Sequence, residues 1–374
     1  MLLTHRQVAF RVAGFTTLVM VSAFCVFLSI FHVGTLGAVN DESVIAKRFF
    51  PNPLAFITAT HPVTAPPQPV TAPPPPPVST PLYEPPHDAT EISPPAKLMA
   101  RTTTAPRASP TQIPKKLWYK VGPQGMSVEM RKWTDTCINN NPGYRVEFLT
   151  DRSGDDYVKQ TFASRPDIVR TYLALNIPII KADLLRYLLL FAEGGIWSDL
   201  DVSCNYIPID DWVPAQYANA ADLVVGWEFD MGWSYEFRRQ FATWTIMAKP
   251  GLSHMWMVIE DIIEELYNTA SKHNVTLQYL SLDMVGDIVD VSGPARFTES
   301  VLRSLESTFK RPVDLGGISE ILEPRLIGDI LIMPAYAFAA TANDYGDQKG
   351  LGPALVRHHY AGTWKNKYGG ELAK

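Results

Sequence analysis

Hydrophobic positions divide the chain before any motif is considered. Val12 to Phe31 contains no charged residue and is rich in Val, Phe, Leu and Ala. A helix of about 20 apolar residues spans the hydrocarbon core of a bilayer, so the run predicts a membrane anchor over 12–33. His5, Arg6 and Arg11 precede it, and Asp41 and Glu42 follow. Positive charge on the short side keeps 1–11 cytosolic and sends the rest to the lumen. A cleaved signal peptide, cut near Gly37-Ala38, is the rival; the run exceeds the apolar core of about 7–15 residues usual in such signals.

From Ile113 onward short apolar runs alternate with amphipathic stretches. Val146–Leu149, Ile196–Ser198, Leu223–Gly226 and Asp329–Met333 read as strands. Leu184–Ala192 reads as a helix closed by Gly194-Gly195. Leu252, Met255, Ile259, Ile262 and Leu266 recur at helical spacing through Tyr267. The charges on that helix, Glu260-Asp261 and Glu264-Glu265, read as its wet face. Strands alternating with helices predict an α/β sheet covered by helices on both faces.

Between these regions lies a different polymer. Residues 51–110 hold 18 of the chain's 31 prolines, with Val63–Pro67 repeated at Val70–Pro74. Such a segment cannot build a core and favours extended polyproline geometry. The predicted organisation is a tail (1–11), an anchor (12–33), a Pro-rich disordered stem (34–110) and a lumenal domain (111–374). At ~3.1 Å per residue the Pro-rich part reaches up to roughly 180 Å. Its Ser and Thr suit O-glycosylation, and Asn274-Val275-Thr276 is an N-glycosylation sequon.

Composition narrows the function. Net charge is −5 with no basic block, which argues against a nucleic-acid partner. Cys25, Cys137 and Cys204 exclude a disulfide-dense scaffold and a four-cysteine zinc site. Cys137 and Cys204 either pair or stay as buried thiols.

The chemistry concentrates in Glu193-Gly194-Gly195-Ile196-Trp197-Ser198-Asp199-Leu200-Asp201. Asp199 and Asp201, two apart at the end of the strand, point to one side, beyond the carboxyl end of a strand, where α/β sheets bind ligands. Two carboxylates there make a hard oxygen site for Mn²⁺ or Mg²⁺ bridged to a diphosphate. Asp183 and Arg186, three apart on the preceding helix, share a face amid Leu and Ile; they pair with each other or face a donor. Glu228 and Asp230 follow a strand end and are candidates for acceptor binding or transition-state stabilisation. No Gly-x-Ser-x-Gly elbow, Walker loop or His-Glu-x-x-His helix occurs.

Several blocks recur in order over about 250 residues: Ile113–Trp118, Asn141–Tyr144, Lys181–Tyr187, Gly194–Asp201, Gln240–Trp244, Ser292–Pro294, Gly328–Ile330 and His358–Trp364. Together they resemble the fungal initiation-specific α-1,6-mannosyltransferases, Asp-x-Asp sugar transferases of glycosyltransferase family 32. The resemblance implies a GT-A (Rossmann-like) α/β fold, a single-pass type II Golgi protein, a nucleotide-sugar donor such as GDP-mannose, a glycan or glycoprotein acceptor, and retention of anomeric configuration. It also implies roles. Trp118, at the end of the first strand, stacks on the donor base. Asp183 and Arg186 contact the donor, Asp199 and Asp201 hold metal and diphosphate, His358 completes the metal shell, and Trp364 closes over the donor. The relatives carry smaller residues where Trp227 and Phe229 stand. A UDP-sugar transferase acting on glycan or lipid, and a non-catalytic glycan-binding or scaffold subunit of a Golgi transferase complex, are the alternative functions.

Overall fold

The computed structural model describes residues 112–234 and 237–372. The anchor at 12–33 and the stem at 34–110 lie outside the described residues. Among those described, no helix is long and apolar enough to cross a membrane.

The chain enters through β1 (Lys116–Lys120), α1 (Val128–Asn140) and β2 (Arg145–Leu149). Then come α2 (Asp151–Thr161), α3 (Pro166–Ala174) and α4 (Pro178–Glu193). Both α3 and α4 start on a proline at the first helical position, where a missing N–H costs nothing. Next are β3 (Gly195–Ser198), β4 (Val202–Cys204), β5 (Leu223–Phe229), β6 (Gln240–Phe241) and β7 (Thr245–Ala248). The long α5 (Ser253–Lys272) precedes the short α6 (Leu282–Val285) and α7 (Ile288–Val291) and then α8 (Pro294–Phe309). The last elements are β8 (Arg325–Ile327), β9 (Ile330–Met333), α9 (Ala335–Ala339) and β10 (Val356–His358).

One mixed sheet runs β2-β1-β3-β7-β5-β9-β8, with β6 paired to β5; β4 and β10 form a separate antiparallel pair. β1, β2 and β3 are mutually parallel. β7 is antiparallel to both β3 and β5, and β5 is parallel to β9. The carboxyl ends of β1, β2, β3, β5 and β9 therefore share one edge of the sheet, where α/β folds bind ligands.

Alternate strand residues feed two cores, as strand geometry requires. Trp118, Trp197, Val225, Trp227 and Ile332 pack under α2–α5 and α8. Leu117, Tyr119, Ile196, Val224 and Leu331 pack with α1, α9 and the β4–β10 pair. This is the sheet with helices on both faces that the alternation predicts.

Two glycines make the junction that carries the site. Gly194 caps α4 at φ 66°, and a Cβ there would lie 2.6 Å from the Ala248 carbonyl oxygen. Gly195 opens β3 at φ 100°, where a Cβ would lie 2.7 Å from the Lys116 carbonyl oxygen. Only glycine combines that backbone with so close an approach.

One expectation fails at the surface. Asp261 does not belong to the wet face of α5: it is buried, accepts a hydrogen bond from Ser300 Oγ and pairs with Arg303. Both partners sit on α8, which periodicity within α5 cannot reveal.

Candidate functional site

β3 ends at Ser198, so Asp199 and Asp201 do not alternate along a strand. Asp199-Leu200-Asp201 is a tight turn into β4, closed by the Val202 N–H bonding to the Asp199 carbonyl (3.2 Å). The strand-period reading of the pair is thus replaced by a turn, which bends both carboxylates toward one point.

His358 comes from far along the chain. β10 pairs antiparallel with β4, placing His358 opposite Val202. The His358 Nε2 lies 3.3 Å from Asp201 Oδ2. Two backbone donors fix the same aspartate: the His359 N–H bonds to its carbonyl (2.8 Å) and the Ala361 N–H to Oδ2 (2.9 Å). Of the two adjacent histidines only His358 faces inward. His359 turns the other way, stacked on Trp133 at 4.2 Å and hydrogen-bonded with Ser203.

One ligand atom each from Asp199, Asp201 and His358 lies within 4.8 Å of the others, the arrangement of a cation site. The donor set, two carboxylates and a neutral imidazole, suits a divalent ion of moderate hardness.

α4 supplies the counter-charge. Arg186 Nη1 lies 2.9 Å from Asp183 and Nη2 3.4 Å from Asp199. Asp183 also accepts from Ser292 Oγ at 2.8 Å. Both readings of the pair therefore meet in one geometry: Arg186 is salt-bridged to Asp183 and still reaches the Asp199 carboxylate. Its Nε is buried without a hydrogen-bond partner. The Trp197 indole N–H donates to Asp199 at 2.6 Å.

Burial sets the protonation pattern, and neighbours modify it. Burial pushes Asp183 up to about 6, against the pull of Arg186 and Ser292. Asp199 is raised by burial and, in part, by Asp201, with Arg186 opposing. Burial works on Asp201 too, but the His358 bond and charge, with the Ala361 N–H, hold it below the usual carboxylate range. Burial opposes the Arg186 charge, yet Asp199 and Asp183 raise its pKa further. The centre thus holds a fixed guanidinium beside two carboxylates of unequal acidity.

Glu228, at the end of β5, is buried and accepts from Gln240 Nε2 at 2.8 Å. Burial pushes it up to about 7 against Gln240, His358 and Lys365, which places it within electrostatic reach of the metal-type cluster. Trp364 lies on the segment after β10, half-buried against the α4 side of the core.

Two expected residues are placed differently. Trp118 stands in the middle of β1, 2% exposed, with its indole N–H on the Gly194 carbonyl at 2.9 Å. Lys116 Nζ lies 3.6 Å from its ring centroid and Tyr157 meets it edge-on. No ring face is open for a base to stack on. Asp230 is fully buried, ion-paired with Arg239 at 3.0 Å and accepting the Glu320 N–H at 2.7 Å. It fastens two loops together and is sealed from any substrate.

Trp244 closes the Gln240–Trp244 block, whose sequence gives it no role. Its ring stacks on His358 at 4.1 Å, and its carbonyl accepts the Asp199 N–H at 3.0 Å. It orients both halves of the cluster. An aromatic ring on a strand normally signals core, so only the fold reveals this.

Comparison with known proteins agrees with this chemistry. Residues 127–219 match the family described as "Glycosyltransferase sugar-binding region containing DXD motif". The initiation-specific alpha-1,6-mannosyltransferase of Candida albicans is 29% identical over 281 residues, covering 68% of this chain and 72% of that protein. The Schizosaccharomyces pombe protein of the same name is 31% identical over 263 residues, covering 68% of this chain and 64%, under two thirds, of its own length. Among solved structures, the PaToxG glycosyltransferase superposes with a TM-score of 0.35 at 15% identity, over 53% of this chain and 73% of that one; so loose a likeness carries no weight. The matched span runs from α1 through the Asp199–Asp201 turn, and the chain is a glycosyltransferase similar to the fungal initiation-specific α-1,6-mannosyltransferases.

Proposed function

We propose that this chain transfers a hexose, mannose from GDP-mannose, to a hydroxyl of a glycan, in the manner of an N-glycan outer-chain α-1,6-mannosyltransferase on a GT-A scaffold. The observation that carries the reading is the convergence of Asp199, Asp201 and His358 beside Arg186 at the carboxyl edge of the sheet. The names of the relatives support mannose as the sugar.

Asp199, Asp201 and His358 would hold Mn²⁺ or Mg²⁺. A bound divalent ion supplies Lewis-acid stabilisation to a departing nucleoside diphosphate. The chain's own residues prepare the site for that charge. Arg186, kept cationic by Asp183 and Asp199, offers its spare N–H toward the phosphates. Trp244 and the β4–β10 pairing orient His358, and Ser292 holds Asp183 in line with Arg186. Glu228 supplies a carboxylate within electrostatic reach of His358, where an oxocarbenium-like sugar gains from negative charge. Trp364 covers the donor from the segment after β10. No side chain is assigned as nucleophile, and we infer retention by front-face displacement; an inverted anomer by NMR would count against it.

The apolar run at 12–33 and the charge asymmetry around it support a type II Golgi anchor, with the Pro-rich stem holding residues 111–374 in the lumen.

The test uses residues 111–374 with Mn²⁺ and a panel of nucleotide-sugars. GDP release from GDP-mannose should fall at least about a hundredfold in Asp199→Ala, since several kcal/mol of charge stabilisation is removed. Turnover of a UDP-sugar alone would reject the mannosyl donor and keep the site. No turnover of any donor would reject the catalytic reading.

A further inference from the structure

We propose that Tyr360 is a sugar-contacting residue, its phenolic O–H donating to a hydroxyl of the transferred hexose; the inference rests on the donor reading above.

Three observations lead there. The Tyr360 hydroxyl is buried and makes no hydrogen bond. Leaving such a group unpaired is costly, and a native fold that keeps one has a reason to do so. The backbone is also in an uncommon state. Tyr360 has φ 49°, in the left-handed region that a bulky aromatic rarely enters. That conformation is imposed from both sides, because the N–H groups of His359 and Ala361 both bond to Asp201. Finally, the ring is clamped: its centroid lies 4.1 Å from His358 and 5.8 Å from Trp244. The strain, the clamp and the orphan hydroxyl fall on one residue, and their common product is a donor held at a fixed point in the cluster.

Its electrostatic neighbours identify the ligand. The phenol lies within reach of two carboxylates, Glu228 and Asp201, yet bonds to neither. Asp201 belongs to the cation-type cluster and Glu228 acts on the same phenol, so a ligand group at this hydroxyl meets two carboxylates as well as the donor. A sugar hydroxyl both accepts and donates. It can take the Tyr360 proton donor and pass its own O–H to a carboxylate, which no phosphate oxygen can do.

Tyr119, Tyr157 and Tyr345 also have unpartnered buried hydroxyls. None has φ above zero, and none has both Asp201 and Glu228 as neighbours. Tyr119 lies in the core and Tyr157 and Tyr345 pack against it.

The decisive variant is Tyr360→Phe, which removes the hydroxyl and leaves the ring. Binding of GDP and of GDP-mannose to residues 111–374 would be measured by calorimetry in Mn²⁺, alongside Tm and transfer kinetics. The expected result is unchanged GDP affinity, GDP-mannose affinity weakened about tenfold, the size of one hydrogen bond, slower transfer, and a Tm unchanged or raised. Equal GDP-mannose binding and transfer in variant and wild type would overturn the inference while leaving the donor reading intact. An equal loss for GDP and GDP-mannose would place the contact on the nucleotide and overturn it as well. If wild-type protein binds no sugar nucleotide in the panel, both readings fall together.

Discussion

Glu228 is a carboxylate 7% exposed, held by the Gln240 side-chain amide, and faced by His358, Lys365 and Tyr360. Its folded pKa of about 7 lies above the ordinary 4.5, so the folded state binds its proton more tightly than the unfolded chain. Stability from this group is full below about pH 4.5 and declines as pH rises to about 7; above that the buried charge is a fixed cost. Glu228→Gln keeps an oxygen for Gln240 and removes the charge. Urea denaturation should therefore show the variant gaining on wild type between pH 5 and pH 8, by on the order of 3 kcal/mol at most. The same difference at both pH values would contradict the burial argument. If Glu228 also steadies the reacting sugar, the stabler variant loses transfer activity at pH 8. At this scale the sequence was legible where charge sat in apolar surroundings: Asp183, Arg186, Asp199 and Asp201 all meet in space. It misled where identity alone was informative. Trp118 and Asp230 carry the right chemistry for a site but are enclosed by partners from distant segments, Gly194, Arg239 and Glu320. Tyr360 gave no signal at all, since a missing hydrogen bond is a property of the fold.

The element that delivers the site is the junction between α4 and β3. α4 carries Asp183 and Arg186, and four residues of β3 later the chain reaches Asp199. A methyl at Gly195 would meet the backbone carbonyl of Lys116 at 2.7 Å, at a φ of 100°. That carbonyl cannot yield without separating β3 from β1. Gly195→Ala should then cost about 2 kcal/mol or more, a fall in Tm of about 4–8 °C for a domain of this size. Donor turnover should fall with it, because Asp199 moves with the strand. A variant with wild-type Tm would show that the junction can relax. α4, α5, β2, β3, β5 and β9 overlap the runs predicted from the sequence. β6, β7 and β10, two to four residues each, carry no pattern that singles them out, and they are elements because partners across the sheets pair with them. The turn at 199–201 was hidden for the same reason: two aspartates spaced by one residue look alike in a strand or a turn.

Across the whole molecule, the site depends on a contact between sequence neighbourhoods that are far apart. His358 reaches Asp201 only because β10 lies on β4, and β4 is tied to α1 by the disulfide Cys137–Cys204, 67 residues apart in sequence. The sequence left that pairing open, since two cysteines at such a separation meet only if the fold brings them together. The two-stranded β4–β10 unit has few hydrogen bonds of its own and is not part of the main sheet. The disulfide therefore does two things: it narrows the unfolded ensemble, and it fixes the strand against which the histidine is registered. Removing it in a Cys137→Ser/Cys204→Ser double variant should cost about 2–5 kcal/mol of stability. Well below the lowered Tm, the loosened β4–β10 pair should weaken metal binding more than it weakens the fold. Titration with Mn²⁺ followed by electron paramagnetic resonance would read this directly. Affinity several-fold lower than wild type in a folded double variant is the expected result. Wild-type Mn²⁺ affinity in a destabilised but folded protein would mean that the β4–β10 register holds without its covalent tie, and that the disulfide serves stability alone.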